Sequence, residues 1–336
     1  MWIIRPAQLS DTDAVLDLAK SLGSGMTTFP PNRDALATKV ETAAASFAGK
    51  MPRSEAQYLM VLEDTESKKL LGVSAVYPEI GRPYGFFSYH VNRLIQHSEA
   101  IGLNLDCKVL TLSNSYTGMT EIGTLAVSPN LRRGGAGRLL AQARYMLMAS
   151  FPEQFSEHVI AEMRGWQEPD GSNPFWTAVG KKFFGVDFPV ADEMSAVKGV
   201  EFIANLMPKF PIYLDLLPSD AQAAIGKAHA TSAIAMRMLA QEGFRFEGFV
   251  DVFDAGPQVI ARLDDIQTVK NSQLAKVVAE SEGADAEKRL IANGDLKNFR
   301  LVRGPAGVNS EGIALNDAFK NALQVECGDE VRHVLA

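Results

Sequence analysis

A chain of 336 residues, 46% apolar and 22% charged, can bury a full hydrophobic core and is long enough for two domains. A formal charge of −7 argues against a general nucleic-acid binder, whose footprint is basic, and is compatible with a cationic small substrate. The longest apolar stretches, such as Tyr58–Leu62 and Leu70–Tyr77, are strand-sized and far short of a bilayer span, and Cys107 and Cys327 alone make neither a disulfide framework nor a metal-ligand spacing.

The chain opens with a strand over Trp2–Arg5. A helix follows whose capping box is Ser10 and Asp13, ahead of Val15, Leu18 and Ala19. Leu36, Val40, Ala44 and Phe47 mark one face of a second helix. Strands Tyr58–Glu63 and Leu70–Tyr77 are joined by the polar turn DTESKK. Residues 81–112 carry strand candidates at Phe86–His90 and Val109–Leu112, around a stretch, VNRLIQHSEAIGL, that reads as helix. Strand Met119–Val127 runs into SPNLRRGGAG and a long amphipathic helix, Arg138–Ser150. Strand His158–Met163 leads to Asn173-Pro174 and a short helix ending near Gly180. A helix over about 231–242, stopped by Gly243, feeds strands Phe249–Phe253 and Gln258–Leu263.

Beyond residue 265 the composition changes to short strands, an Asn293-Gly294 turn and a Gly-Pro loop. The expected division is a domain of residues 1–265 and a small β-rich, barrel-like domain of residues 266–336. That second domain could serve oligomerisation or cover the site. MWIIRP has no signal-peptide core, so a reducing cytoplasm is the expected compartment, and no membrane partner and no metal are expected. NPFWTAVGKKFF and TSAIAMRMLAQEGFRF both read as helices closed by Gly before aromatic residues. Common helix-stop chemistry explains that echo, and a duplicated half-fold is the sharper alternative.

The segment Arg132-Arg133-Gly134-Gly135-Ala136-Gly137 carries the strongest chemical implication. Successive glycines let backbone N–H groups converge, and the helix that follows adds the positive end of its dipole, which suits a diphosphate. A P-loop would end in Gly-Lys-Ser/Thr, where this chain has Gly-Arg-Leu, and a dinucleotide fingerprint would need glycine where Leu140 stands. The loop instead resembles the Arg/Gln-x-x-Gly-x-Gly/Ala loop of GNAT acyltransferases at Arg132, Gly135 and Gly137. The preceding order β-α-α-β-β, then strand–loop–helix, matches as well. That resemblance implies an α+β fold, a mixed sheet flanked by helices. It also implies acyl-CoA bound by Arg132, Arg133, Gly135, Gly137 and Arg138, with the pantetheine arm beside a bulged strand at Leu125 and Val127.

Longer strings narrow the resemblance: MWIIRPAQLSD, LTLSNSYTGMTE, RYMLMASF, VIAEMRG, NPFWTAVGKKFF, LMPKFPIY, IGKAH and DVFDAGP. Almost end to end, the sequence is similar to the arginine N-succinyltransferases. The family implies succinyl-CoA as co-substrate, with no permanently bound cofactor, and L-arginine as acceptor. It implies direct transfer in a ternary complex and a proton donor at the histidine of Gly-x-x-His, here His229. His229 precedes the helix near Thr231, where the dipole favours neutral imidazole. The family commonly has proline next, and this chain has Ala230. The oxyanion would meet backbone N–H groups near Leu125–Ala126. A covalent route through Cys107 or Cys327 lacks a nucleophile setting.

Guanidinium recognition asks for carboxylates, with Glu121, Glu162 and Asp254 as candidates, and Arg164 could meet the succinyl carboxylate. Each also reads as a surface or structural charge. An ornithine acyltransferase, a non-catalytic partner subunit and a CoA-binding sensor are the competing readings. A homo-oligomer, or a hetero-oligomer with a similar chain, is the expected assembly.

Overall fold

Strands in chain order are β1 (Trp2–Pro6), β2 (Tyr58–Asp64), β3 (Leu70–Tyr77), β4 (Ser88–Ser98) and β5 (Leu103–Ser113). Then come β6 (Thr120–Val127), β7 (His158–Glu162), β8 (Ile212–Tyr213), β9 (Arg245–Asp251) and β10 (Pro257–Arg262). The last are β11 (Gln273–Val278), β12 (Glu287–Asn293), β13 (Leu301–Val308), β14 (Ile313–Ala314) and β15 (Glu330–Leu335). The computed structural model describes residues 1–22, 28–131, 134–188, 190–191, 206–279 and 286–336. They form two compact units: residues 1–78, 120–157 and 262–336, and residues 79–119 and 158–261.

In the first unit β1, β2, β3 and β6 run antiparallel in that order. Helices α1 (Thr12–Leu22) and α2 (Arg33–Phe47) cover one face. Val15, Leu18, Leu36 and Val40 pack there with Leu59, Val61, Val73 and Ala75. The α2 spacing behaves as its period predicts, with Ala43 fully buried beside the half-buried Ala44. The start of α1 differs from expectation. Asp11, rather than Asp13, reaches back to a backbone N–H, that of Gln8 at 2.8 Å, because Arg5 holds the Asp11 carboxylate in place. Helix α3 (Ala136–Ser150) is buried along Leu139–Ala149, consistent with its apolar composition on nearly every side.

The chain end is a closed ring, β12-β15-β11-β14-β13 with β13 returning to β12, so the barrel expectation holds. All pairs are antiparallel except β11–β14. This barrel belongs to the same compact unit as the first 78 residues, because β13 pairs with β1 at Ile3↔Val302 and Ile4↔Leu301. A helix at Asp317–Leu323, capped by Asn316, was not expected from the pattern. Its Phe319 ring lies over Gly304, where a Cβ would sit 2.1 Å away.

The second unit contains β5 and β4 paired over eleven residues, Ser88↔Ser113 through Ser98↔Leu103. The expected helix within residues 91–103 is therefore a strand and a hairpin tip. The Val91, Leu94, Ile95 spacing imitates a helical face, but Ile95 and Ile101 are 63% and 73% exposed, so no buried helical stripe exists. The hydrogen bonds come instead from the partner strand, and Gly102 (φ 60°) makes the turn. On its other side β4 pairs with β9, and β10 follows. Tyr89, Leu110, Phe175, Val250 and Val252 form the core. Helix α4 (Pro174–Ala178) does not end the helical segment at Gly180. A second turn, α5 (Gly180–Phe184), begins there, because the absent side chain admits the Trp176 ring, which a Cβ would approach to 2.2 Å. Residues 192–205, between α5 and β8, lie outside the described residues.

Candidate active site

In the first unit, β6 breaks register with β3. Val73 faces Ala126 and Ala75 faces Gly123, so Thr124 and Leu125 together oppose Ser74. One extra residue on one strand is a β-bulge, which leaves main-chain groups unpaired and turns the strand. Thr124 takes φ +49°, costly for a β-branched residue. Its hydroxyl bonds the Tyr77 hydroxyl at 2.8 Å, and Tyr77 in turn accepts from Lys39 Nζ at 2.7 Å. Lys39 also reaches Gln57 Oε1 at 3.1 Å. Burial pushes the neighbouring Glu121 carboxyl up to about 7, with the Lys39 charge pulling the other way. Leu125 and Val127 are half-buried on the far side of the bulge from Glu121.

Past Val127 a short turn, tied by Ser128 N–H to Leu71 O at 2.8 Å, leads to the glycines. Gly134 (φ +112°) and Gly135 (φ +78°) both occupy backbone conformations open to glycine, and Gly135 caps α3. A Cβ on Gly134 would stand 3.2 Å from the Trp2 ring, and one on Gly135 would stand 3.1 Å from Arg303 Nη1. A Cβ on Gly137 would stand 3.8 Å from the Val127 side chain, an ordinary contact, and Arg138 is exposed at the start of α3. Arg132 and Arg133 lie outside the described residues. The first unit thus brings together Glu121, Leu125, Val127, Gly135, Gly137 and Arg138 on one strand–loop–helix element.

The second unit holds His229, Glu162, Arg164 and Asp254. His229 N–H donates to Arg164 O at 2.8 Å, Gly165 bridges Ala228, and Trp166 N–H donates to Lys227 O. Lys227 Nζ lies 3.3 Å from the centre of the Trp166 ring. Asp254 fastens this pair of segments. Its Oδ2 accepts from Gly165 N–H at 2.6 Å and its Oδ1 from Gly256 N–H at 2.7 Å. Asn173 donates to both Trp166 O and Asp254 O. A Cβ on Gly165 would lie 2.4 Å from Asp254 O, so the approach is possible only for glycine.

His229 is half-buried, and its Nδ1 accepts the Thr231 N–H at 3.3 Å and contacts the Thr231 hydroxyl at 2.7 Å. An Nδ1 that accepts a backbone N–H carries no proton in the neutral ring. In that tautomer Nε2 keeps the proton and can donate a hydrogen bond. Glu162 accepts from the buried Gln258 at 2.6 Å, and Arg164, exposed, donates to Gln167. Asp251 accepts from Phe253 and Asp254 N–H groups. Burial, then the Asp254 charge, push its carboxyl up to about 7.

Residues that sequence reasoning did not single out include Lys39, Tyr77, Asn173, Asp251, Gln258 and Arg303. Asn173 had a sequence signal in its cap position before Pro174, and the DVFDAGP string contains Asp251. Arg303 had none, being 169 residues from its partner Gly134. Among the described residues, no cluster of three or more His, Cys, Asp or Glu side chains could hold a metal. No helix there is long and apolar enough to cross a membrane.

Residues 2–268 match the family described as arginine N-succinyltransferase beta subunit, and residues 273–334 match that family's C-terminal domain. An arginine N-succinyltransferase of Escherichia coli O139:H28 is 37% identical over 336 residues, covering 99% of this chain and 97% of its own. One from Shigella flexneri is equally similar, at 37% over the same spans. The solved structure of arginine/ornithine succinyltransferase subunit AI from Pseudomonas aeruginosa superposes with a TM-score of 0.89 at 31% identity. That alignment covers 100% of this chain and 98% of the other, so the fold is shared throughout.

Proposed function

The chain belongs to the arginine N-succinyltransferase family of acyltransferases, and on that premise we propose that it carries succinyl from succinyl-CoA to the α-amino nitrogen of L-arginine. The products are N2-succinyl-L-arginine and CoA. The observation that carries the reading is the bulge at Thr124–Leu125 leading directly into the glycine loop and α3. That element offers an extended acyl-CoA both unpaired main chain and a diphosphate cradle.

The amine, once deprotonated, attacks the thioester carbonyl. Negative charge develops on its oxygen, which backbone N–H groups near Leu125–Ala126 receive. The tetrahedral intermediate collapses, the C–S bond breaks, and the proton shed by the attacking nitrogen passes by way of His229 to the departing thiolate, leaving the imidazole neutral. Leu125 and Val127 line the pantetheine arm, while Arg132, Arg133, Gly135, Gly137 and Arg138 take the phosphates. Glu162, and Glu121 behind the bulge, are the carboxylates offered to the guanidinium, and Arg164 is offered to the succinyl carboxylate. We assign Asp254 to framing His229 rather than to substrate, because both its oxygens already accept backbone N–H groups. An oligomer in the cytoplasm completes the proposal. The buried Cys107 and the exposed Cys327 are both free thiols.

Ornithine is the second acceptor to test, since the Pseudomonas aeruginosa relative is described as an arginine/ornithine enzyme. CoA thiol release, measured with succinyl-CoA and acetyl-CoA against L-arginine and L-ornithine, tests the reading. Rapid release with succinyl-CoA and arginine is the expected result. CoA binding without release from any pair would instead assign the chain a non-catalytic role.

A further inference from the structure

We propose that Arg303, a residue of the C-terminal barrel, belongs to the phosphate-binding site of acyl-CoA and covers the glycine loop at Gly134 and Gly135. The inference rests on the acyl-CoA reading above and gives the barrel a part in binding. Arg303 is held firmly. It pairs in register with Leu290, two positions from Leu301, which pairs with Ile4, and its neighbours Leu301 and Val302 are fully buried. From that base the side chain reaches the loop. Nη2 donates to Gly134 O at 3.1 Å, and the guanidinium covers Gly135, with Nη1 and Nη2 3.1 and 3.4 Å from where a Cβ would stand. Any larger residue at position 135 would displace it.

The charges around Arg303 call for an anion. A guanidinium has five N–H donors, and among the described residues the Gly134 carbonyl is the hydrogen-bond partner found for Arg303, with no carboxylate paired to it. It lines a cleft of about 400 Å³ with Met1, Trp2, Asp64, Glu66 and Leu139. The two acids in that cleft are turned to the N-terminal ammonium, at 3.5 and 3.3 Å. Partial burial, and then the charge of nearby Arg138, disfavour the charged form of Arg303. Two arginines set against each other at the start of a 15-residue helix are relieved by a multiply charged anion between them. The phosphates of CoA supply that charge, either as the 5′-diphosphate or as the 3′-phosphate.

The test is calorimetric titration of the full-length protein, at one fixed ionic strength, with CoA, dephospho-CoA and pantetheine. Wild type, Arg303→Met and Arg303→Lys are compared. Arg303→Met should weaken CoA about tenfold or more, the scale of one charge-assisted hydrogen bond. Arg303→Lys should recover part of the loss, and pantetheine should bind all three proteins alike. If the variant loses CoA but not dephospho-CoA affinity, the contact is to the 3′-phosphate, and if it loses both, to the diphosphate. Unchanged CoA affinity in Arg303→Met would overturn the proposal. So would equal losses for CoA and pantetheine, which would mark Arg303 as a prop for the loop alone. Should Arg303→Met not fold, Arg303→Lys carries the same comparison, with a smaller selective loss expected. Wild type that binds CoA yet transfers no succinyl would refute the reaction while leaving this site standing. Wild type that binds no CoA would end both.

Discussion

In the first unit the groups that the proposed function offers to acyl-CoA are largely main chain: the bulge of β6, the N–H groups of the glycine loop and the start of α3. In the second, a single imidazole stands at the end of a chain of buried polar contacts from Asp254 and Asn173 through Gly165 to Arg164 and His229. A main-chain site needs particular φ angles and the absence of side chains, so it tolerates substitution wherever glycine is not required. A framed side chain needs every link in its frame. Each buried acceptor removed strands a donor, at the full cost of its desolvation. The two units should therefore respond differently to equally conservative changes.

The largest effect should come from the framed group itself. His229→Ala is expected to lower kcat by about 10² to 10⁴, the range for loss of a general acid–base group, with CoA affinity unchanged. Stopped-flow thiol release alongside calorimetry reads both, and undiminished turnover would remove His229 from the chemistry. Asp254→Ala strands the Gly165 and Gly256 N–H groups. A loss of about 3 kcal/mol in denaturant unfolding is expected from two unpaired buried donors, together with reduced kcat. Stability close to wild type would mean that the frame is not what holds His229.

The first unit offers a milder counterpart. Tyr77→Phe takes one hydroxyl from the Lys39–Tyr77–Thr124 chain behind the bulge. About 1 kcal/mol of stability should go, with KM for the acyl-CoA rising more than kcat falls. An equal fall in kcat alone would contradict a main-chain site.

The last effect concerns pH. Asp251 is held in its protonated form up to about 7, so the folded state binds that proton more tightly than the unfolded chain does. Its contribution to stability is complete below the ordinary aspartate range and disappears as pH rises toward 7. Asp251→Asn can keep accepting from Phe253 and Asp254 N–H groups without titrating. Thermal midpoints of the variant should therefore decline less than those of wild type between about pH 4 and about pH 7. Parallel curves would show that another group titrates there.

Local pattern made the first unit's element order legible. The 3.6-residue spacing of Leu36, Val40 and Phe47, and the run from strand Thr120–Val127 through glycines into α3, are written in short windows and folded as read. The same kind of reading failed at residues 91–103. Three apolar residues at helical spacing lie on a strand whose hydrogen bonds come from β5, a partner that no short window contains. It also misplaced the first cap, because the choice of Asp11 depends on Arg5 lying against it.

By itself, then, the sequence determined the family through its long shared strings and the glycine loop through its composition, and it pointed to His229 through that resemblance. Tertiary structure alone decided that Asp254 accepts from Gly165 N–H, that Thr124 and Leu125 bulge opposite Ser74, and that Arg303 reaches Gly134. The reason is distance along the chain. A glycine's freedom and a helix's periodicity act within a few residues, whereas Asp254 lies 89 positions from Gly165 and Arg303 lies 169 from Gly134. Such pairs gain meaning only once packing has met the entropy of bringing them together.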